Sequence, residues 1–121
     1  MPSLNLMVNT PVPGDEQQFA LDFSKFSAET LEKPEAFISV SITVNKTLTF
    51  AGNFKPAFQL SVISLDNLTD ELNEVYSAKL SKYLFEKLGI ESDRGYVSFV
   101  DPGRGFIGFK GTTFTTIFGK K

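Results

Sequence analysis

A chain of 121 residues lies within the usual domain range of about 100 to 200 residues, so a single domain over 1–121 is expected, able to bury a core without metals or disulfides. Twelve basic against fourteen acidic residues leave a net charge of −2, which gives no general attraction to nucleic acid or anionic lipid. The absence of Cys and His removes disulfides, thiolate nucleophiles, imidazole bases and the common zinc hydrolases.

Leu4-Asn5-Leu6-Met7-Val8 is an apolar run broken by Thr10-Pro11-Val12-Pro13-Gly14, which predicts a strand over residues 2–8. Asp15 and Gln18 have the form of a capping box, and Phe19, Phe23, Phe26 and Leu31 hold helical spacing up to Pro34, so 15–32 reads as an amphipathic helix. Phe37 to Val44 alternates with a period of two and predicts a strand ending near Lys46. Phe58 to Leu65 reads as a mostly buried strand. Asn67 or Thr69 can cap a second helix carrying Leu72, Val75, Tyr76, Leu80, Tyr83, Leu84 and Leu88, with Gly89 as its stop. Tyr96 to Asp101, Phe106 to Phe109 and Thr112 to Phe118 are strand candidates, with a turn at Asp101-Pro102-Gly103.

The order is β-α-β twice. The predicted fold class is α/β (α+β), with a four-stranded sheet and both helices on one face. The uncovered face calls for a partner, so oligomerisation is expected. No apolar run approaches the ~18 residues of a membrane span, and the N-terminus lacks a basic segment followed by a long apolar one. Membrane insertion and a secretory leader are therefore not expected, and cytoplasmic synthesis is.

Several motifs carry ordinary local chemistry. Asp70-Glu71 and Glu91-Ser92-Asp93 fall at a helix start and a turn, where carboxylates complement the helix dipole or remain solvated. Gly103-Arg-Gly105-Phe-Ile-Gly108 matches a dinucleotide fingerprint but opens no predicted helix. Asn45-Lys-Thr47 and Asn67-Leu-Thr69 fit the glycosylation pattern but are explained by turns and caps.

The informative residue is Pro2, which becomes an N-terminal secondary amine once Met1 is removed. Met1-Pro2-Ser3-Leu4-Asn5-Leu6, Lys33-Pro34-Glu35-Ala36-Phe37-Ile38, Ser61-Val62-Ile63-Ser64-Leu65, Asp93-Arg94-Gly95-Tyr96-Val97-Ser98-Phe99 and Gly108-Phe109-Lys110-Gly111-Thr112-Thr113-Phe114, in this order and spacing, resemble the macrophage migration inhibitory factor and D-dopachrome tautomerase family from residue 1 to about 114.

The resemblance implies a tautomerase-fold homotrimer with an active site at each subunit interface, no cofactor, and a small aromatic α-keto acid as substrate. It implies Pro2 as the catalytic base and Lys33 as the group that binds the substrate carboxylate. Ser64 and Leu65 match strand-end positions bordering the site, and Tyr96 matches an aromatic residue contributed by the neighbouring subunit. Ile107, Phe109 and Phe114 match the apolar wall. Ser98 stands where relatives carry an asparagine that reaches the substrate, Ile63 where some carry a histidine, and Phe37 and Phe109 replace a tyrosine and a tryptophan. Ala57 and Leu60 stand in place of a C-x-x-C, which excludes thiol–disulfide activity, and Val12 and Asn45 lack the charged pair associated with chemokine-receptor mimicry.

Elementary chemistry agrees with a base at residue 2. An α-amine starts near pKa 7.7 to 8.0, and burial and a nearby lysine both disfavour its cation. A neutral amine can carry a proton between the carbon and the oxygen of an enolisable ketone. The expected activity is tautomerisation of phenylpyruvate-like acids, with dopachrome-like compounds included. The rival is a cytokine-like signalling protein, secreted without a leader and read by a cell-surface receptor, whose pocket is vestigial. The tail from Thr115 to Lys121 is expected to cover a neighbouring subunit or to occlude part of the site.

Overall fold

The computed structural model describes residues 1–120. Strand β1 (Ser3–Val8), helix α1 (Glu16–Leu31) and strand β2 (Ser39–Val44) form one β-α-β unit; β3 (Phe58–Ile63), α2 (Asp70–Leu88) and β4 (Gly95–Val100) form the second. Each unit pairs its own strands in parallel, and the two join antiparallel through β1 and β3, giving the sheet order β2-β1-β3-β4. The two-unit sheet expected from the sequence is the one observed.

Alternation decides which face is covered. Leu4, Leu6 and Val8 lie level with Val62, Leu60 and Phe58, and all six are buried in one cluster with Phe19, Phe23 and Leu31 of α1 and Tyr76, Leu80, Tyr83 and Leu84 of α2. Both helices therefore cover the same face. Tyr83 is the ring between them, 5.6 Å from Phe23 and 4.2 Å from Phe26. Gly95 begins β4 because a Cβ there would lie 2.3 Å from the Phe58 carbonyl oxygen and 2.6 Å from its ring.

The helix ends follow the capping rules with one change. The Asp15 carboxylate accepts from the Gln17 backbone N–H at 3.0 Å, but Gln18 donates forward to Asp22 at 2.9 Å instead of back to the cap. The expected capping box is thus not formed, because the i, i+4 partner on the helix surface takes the amide. Thr69, not Asn67, caps α2 by accepting from the Leu72 N–H at 3.1 Å. Gly89 ends that helix with φ 70, a backbone state that glycine adopts without strain.

Three strand boundaries differ from expectation. Phe37 lies in a 3-10 turn, Glu35–Phe37, so β2 begins at Ser39; Pro34 starts the turn and its carbonyl accepts from the Phe37 N–H at 3.0 Å. Phe106 likewise ends a 3-10 turn, Arg104–Phe106, and only Gly108–Phe109 is strand (β5), paired with β6 (Thr112–Thr113). The predicted tail strand over Thr112 to Phe118 is overturned: Phe114–Phe118 is a short helix, α3. Beyond the β5–β6 hairpin no further strand pairing occurs among the described residues, whereas helical spacing brings the Phe114 and Phe118 rings to 4.9 Å.

The uncovered face of the sheet is mainly polar, with Met7, Ile63, Tyr96 and Val100 also on it by register. Asn5, Ser39, Ser41, Gln59, Ser61 and Ser98 all point to it and are exposed. Beside the uncovered face, the edges give a second reason to expect a partner: β2 and β4 end the sheet, and an edge strand presents backbone groups with no partner in the ladder. Among the described residues no helix is long and apolar enough to cross a membrane.

Candidate active site

Pro2 enters the sheet at the mouth of a cavity. It is buried, and its carbonyl accepts from the Ser39 N–H at 3.0 Å, which fixes the N-terminus beside the start of β2. The cavity, about 240 Å³, is lined by Met1, Pro2, Ala36, Phe37, Ile38, Ser39, Phe109 and Phe114. A second cavity of about 390 Å³ abuts it, sharing Met1, Phe37, Phe109 and Phe114 and adding Lys110, Thr112, Ile117 and Phe118. The common wall is aromatic: Phe109 stacks on Phe114 at 5.8 Å with planes 4° apart, and Phe37 meets Phe109 edge-on at 6.5 Å.

The hairpin and α3 hold this wall in place. The Phe114 N–H donates to the Ile107 carbonyl at 3.1 Å, so the half-buried Ile107 ties the wall to the segment before β5. Arg104 donates to the carbonyls of Phe118 and Gly119 at 3.1 and 2.9 Å and pairs with the Asp66 carboxylate at 2.9 Å.

Burial and a neighbouring cation both disfavour the charged form of the amine at the chain start. The α-amino pKa of Met1 is lowered from its ordinary value, chiefly by burial and secondly by the Lys33 cation, with Asp66 acting in the opposite direction. Removal of Met1 would pass the amine to Pro2, whose own burial acts with the same sign. Lys33 itself is half-buried just past the C-terminus of α1, where its N–H donates to the Ala28 carbonyl at 3.0 Å. It lines neither cavity and acts on the amine through its charge.

The remaining site residues divide between the two ends of the sheet. Ser64 and Leu65 follow β3 and are both buried. The Ser64 hydroxyl donates to the Asn67 side-chain oxygen at 2.5 Å, and Asn67 in turn donates to the Leu31 carbonyl at 3.4 Å, so this pair knits the end of β3 to the end of α1. Tyr96 and Ser98 lie elsewhere. Tyr96 is level with Gln59 and Met7, five residues along the sheet from Pro2, or about 16 Å at the usual strand rise. Its ring is 72% exposed, with Phe50 beside it at 5.5 Å. Ser98 shares the open face, level with Ser61 and Asn5.

The sequence argument did not identify Met1, Ala36, Ile38, Ser39, Ile117 and Phe118 as lining residues, nor Arg104 as their support. For the tail, the available signal was the i, i+4 spacing of Phe114 and Phe118, which fits a helix as well as a strand. A larger depression, about 850 Å³, lies along α2 between Asp70, Glu74, Lys82, Phe85 and Glu91. It is remote from the chain start and is formed by the helix face turned away from the core.

A sheet of two joined β-α-β units with a buried proline at an apolar, phenylalanine-walled mouth defines a tautomerase-fold domain. The model of the family described as "Macrophage migration inhibitory factor (MIF)" matches residues 1–115, and the chain belongs to that family. It is 36% identical over 114 residues to a macrophage migration inhibitory factor homolog of Trichuris trichiura, covering 94% of this chain and 100% of the relative. It is 31% identical over 116 residues to the D-dopachrome decarboxylase of Xenopus tropicalis, covering 95% and 98%. The solved structure of the factor from Trichinella spiralis superposes with a TM-score of 0.84 at 32% identity, covering 93% of this chain and 99% of that one.

Proposed function

We propose that the protein is a cofactor-independent keto–enol tautomerase of phenylpyruvate-like aromatic α-keto acids, dopachrome-like compounds included, with Pro2 as general base after removal of Met1. The observation that carries this reading is a buried proline at an aromatic-walled cavity, beside an amine whose cation is disfavoured by burial and by Lys33. In the ketonising direction the neutral amine takes the enol O–H proton and returns it to the neighbouring carbon, so the base is regenerated and nothing else is consumed. The aromatic wall receives the ring of the substrate. Lys33 pairs with its carboxylate. The relative named as a D-dopachrome decarboxylase agrees with an aromatic substrate, whereas a receptor-mediated signalling role rests on names alone and would need no intact cavity.

The same reading requires more than one copy. Tyr96 lies near the far end of the sheet from Pro2 of its own chain and Ser98 at mid-sheet, level with Asn5, so on this reading a second copy delivers them, and the free edges of β2 and β4 offer the pairing surfaces. Sedimentation at micromolar concentration should return a trimer of three 13.4 kDa chains. A fully active monomer would contradict the shared site.

The enol–ketone assay on phenylpyruvate tests the chemistry. In that assay Lys33→Ala should raise KM and lower kcat/KM about tenfold to 150-fold, the worth of a charge-assisted bond of about 1.5 to 3 kcal/mol. An unchanged value, with assembly intact, would leave Lys33 as a cation past the helix end and remove it from substrate binding.

A further inference from the structure

The larger of the two abutting cavities is completed by two residues outside the family's matched extent. The family model ends at residue 115, and Ile117 and Phe118, which close the far side of the 390 Å³ cavity, lie beyond it. Both are apolar and remain exposed, Ile117 at 41% and Phe118 at 53%. About half of each side chain is left uncovered by its own domain.

Five residues are too few for a helix to hold itself in place. Arg104 supplies the support: its guanidinium bonds two carbonyls at the end of α3, pairs with Asp66 and lies 5.5 Å from the centre of the Phe118 ring. An arginine with its donors committed in this way sets the position of α3 against the Phe109–Phe114 wall. Met1 lines both cavities, so its removal would widen both towards each other. A compartment within the roughly 300 to 1,000 Å³ typical of small-molecule pockets would then open directly from Pro2.

We propose that Ile117 and Phe118, positioned by Arg104, form a distal compartment that receives a second apolar group of the substrate. The preferred substrates are then aromatic α-keto acids extended by another ring, in preference to phenylpyruvate itself. This rests on the tautomerase reading above for the chemistry and on the cavity alone for the binding. The reacting end lies at Pro2, the first ring against Phe37, Phe109 and Phe114, and the second ring between Phe118 and Thr112.

The test compares 4-biphenylylpyruvate with phenylpyruvate, using the Met1-processed protein. The ratio of their kcat/KM values should favour the biphenyl compound and should fall about tenfold to 100-fold, through KM, in Ile117→Ala/Phe118→Ala. Arg104→Gln, which leaves both apolar side chains present but frees α3, should lower the ratio in the same direction. An unchanged ratio in the double variant would overturn the proposal and assign these side chains to contact between copies. Calorimetric binding of biphenyl-4-acetate and phenylacetate provides a second arm. If neither keto acid is turned over, the tautomerase reading fails; tighter binding of the biphenyl acid that is lost in the double variant would still support the compartment, and equal binding would overturn it.

Discussion

Protein that keeps Met1 should tautomerise phenylpyruvate at least about 100-fold more slowly than protein from which it has been removed, if general base catalysis supplies its usual contribution of about 10² to 10⁴. With Met1 present the Pro2 nitrogen is a tertiary amide without a basic lone pair, and the amine that remains belongs to a flexible residue that fills part of both cavities. Pro2→Gly should retain a fraction of the activity, because a primary amine still accepts a proton but loses the rigid ring. The pH profile of kcat/KM separates these forms. The base must be neutral to act, so activity should rise with pH; burial and Lys33 lower the Met1 amine below its ordinary value, and the same causes acting on the Pro2 nitrogen should put the midpoint below the ordinary α-amino value. That limb should disappear in the Met1-retaining form. Full activity with Met1 verified in place by mass spectrometry would eliminate Pro2 as the base.

Phe23→Ala should cause the largest loss of stability, about 3 to 5 kcal/mol. The ring is fully buried and lies 5.6 Å from Tyr83 and 6.4 Å from Phe19, so its removal opens a void where α1, α2 and the sheet meet. Thermal unfolding at matched concentration should show a fall in Tm on the order of 10 °C or more. Leu21→Ala on the same helix, at a side chain 62% exposed, should change stability by no more than about 0.5 kcal/mol. Equal effects of the two substitutions would mean that the core is not centred where the structure puts it.

The β-α-β units were legible in the sequence because each of their signals is local and repeated. The period of two in β2, the spacing of Phe19, Phe23 and Phe26, and the caps at Asp15, Thr69 and Gly89 each act within a few residues and agree with one another. The tail was not legible for the opposite reason. Thr112, Thr113, Phe114 and Ile117 have strand propensity, but propensity in sheets expresses packing against a neighbour, and after Thr113 no further strand pairing occurs among the described residues. The state of the tail was decided by Arg104 and by the Phe109 ring, both distant in local pattern. The cavity lining was partly legible. Phe109 and Phe114 followed from the family resemblance, Ile107 lines neither cavity, and Met1, Ile117 and Phe118 become neighbours only because the fold brings the two ends of the chain together.

The hydroxyl-rich face of the sheet sets the manner in which copies can meet. Two such faces pressed together would strip water from Ser39, Ser41 and Ser61, and each unsatisfied hydroxyl carries a desolvation penalty. Joining through strand edges leaves those hydroxyls wet. Copies arranged around an axis in this way would enclose a hydrated lumen, with the apolar mouths at Pro2 kept at the seams between subunits. Water in the middle and rings at the joints would keep solubility apart from substrate binding.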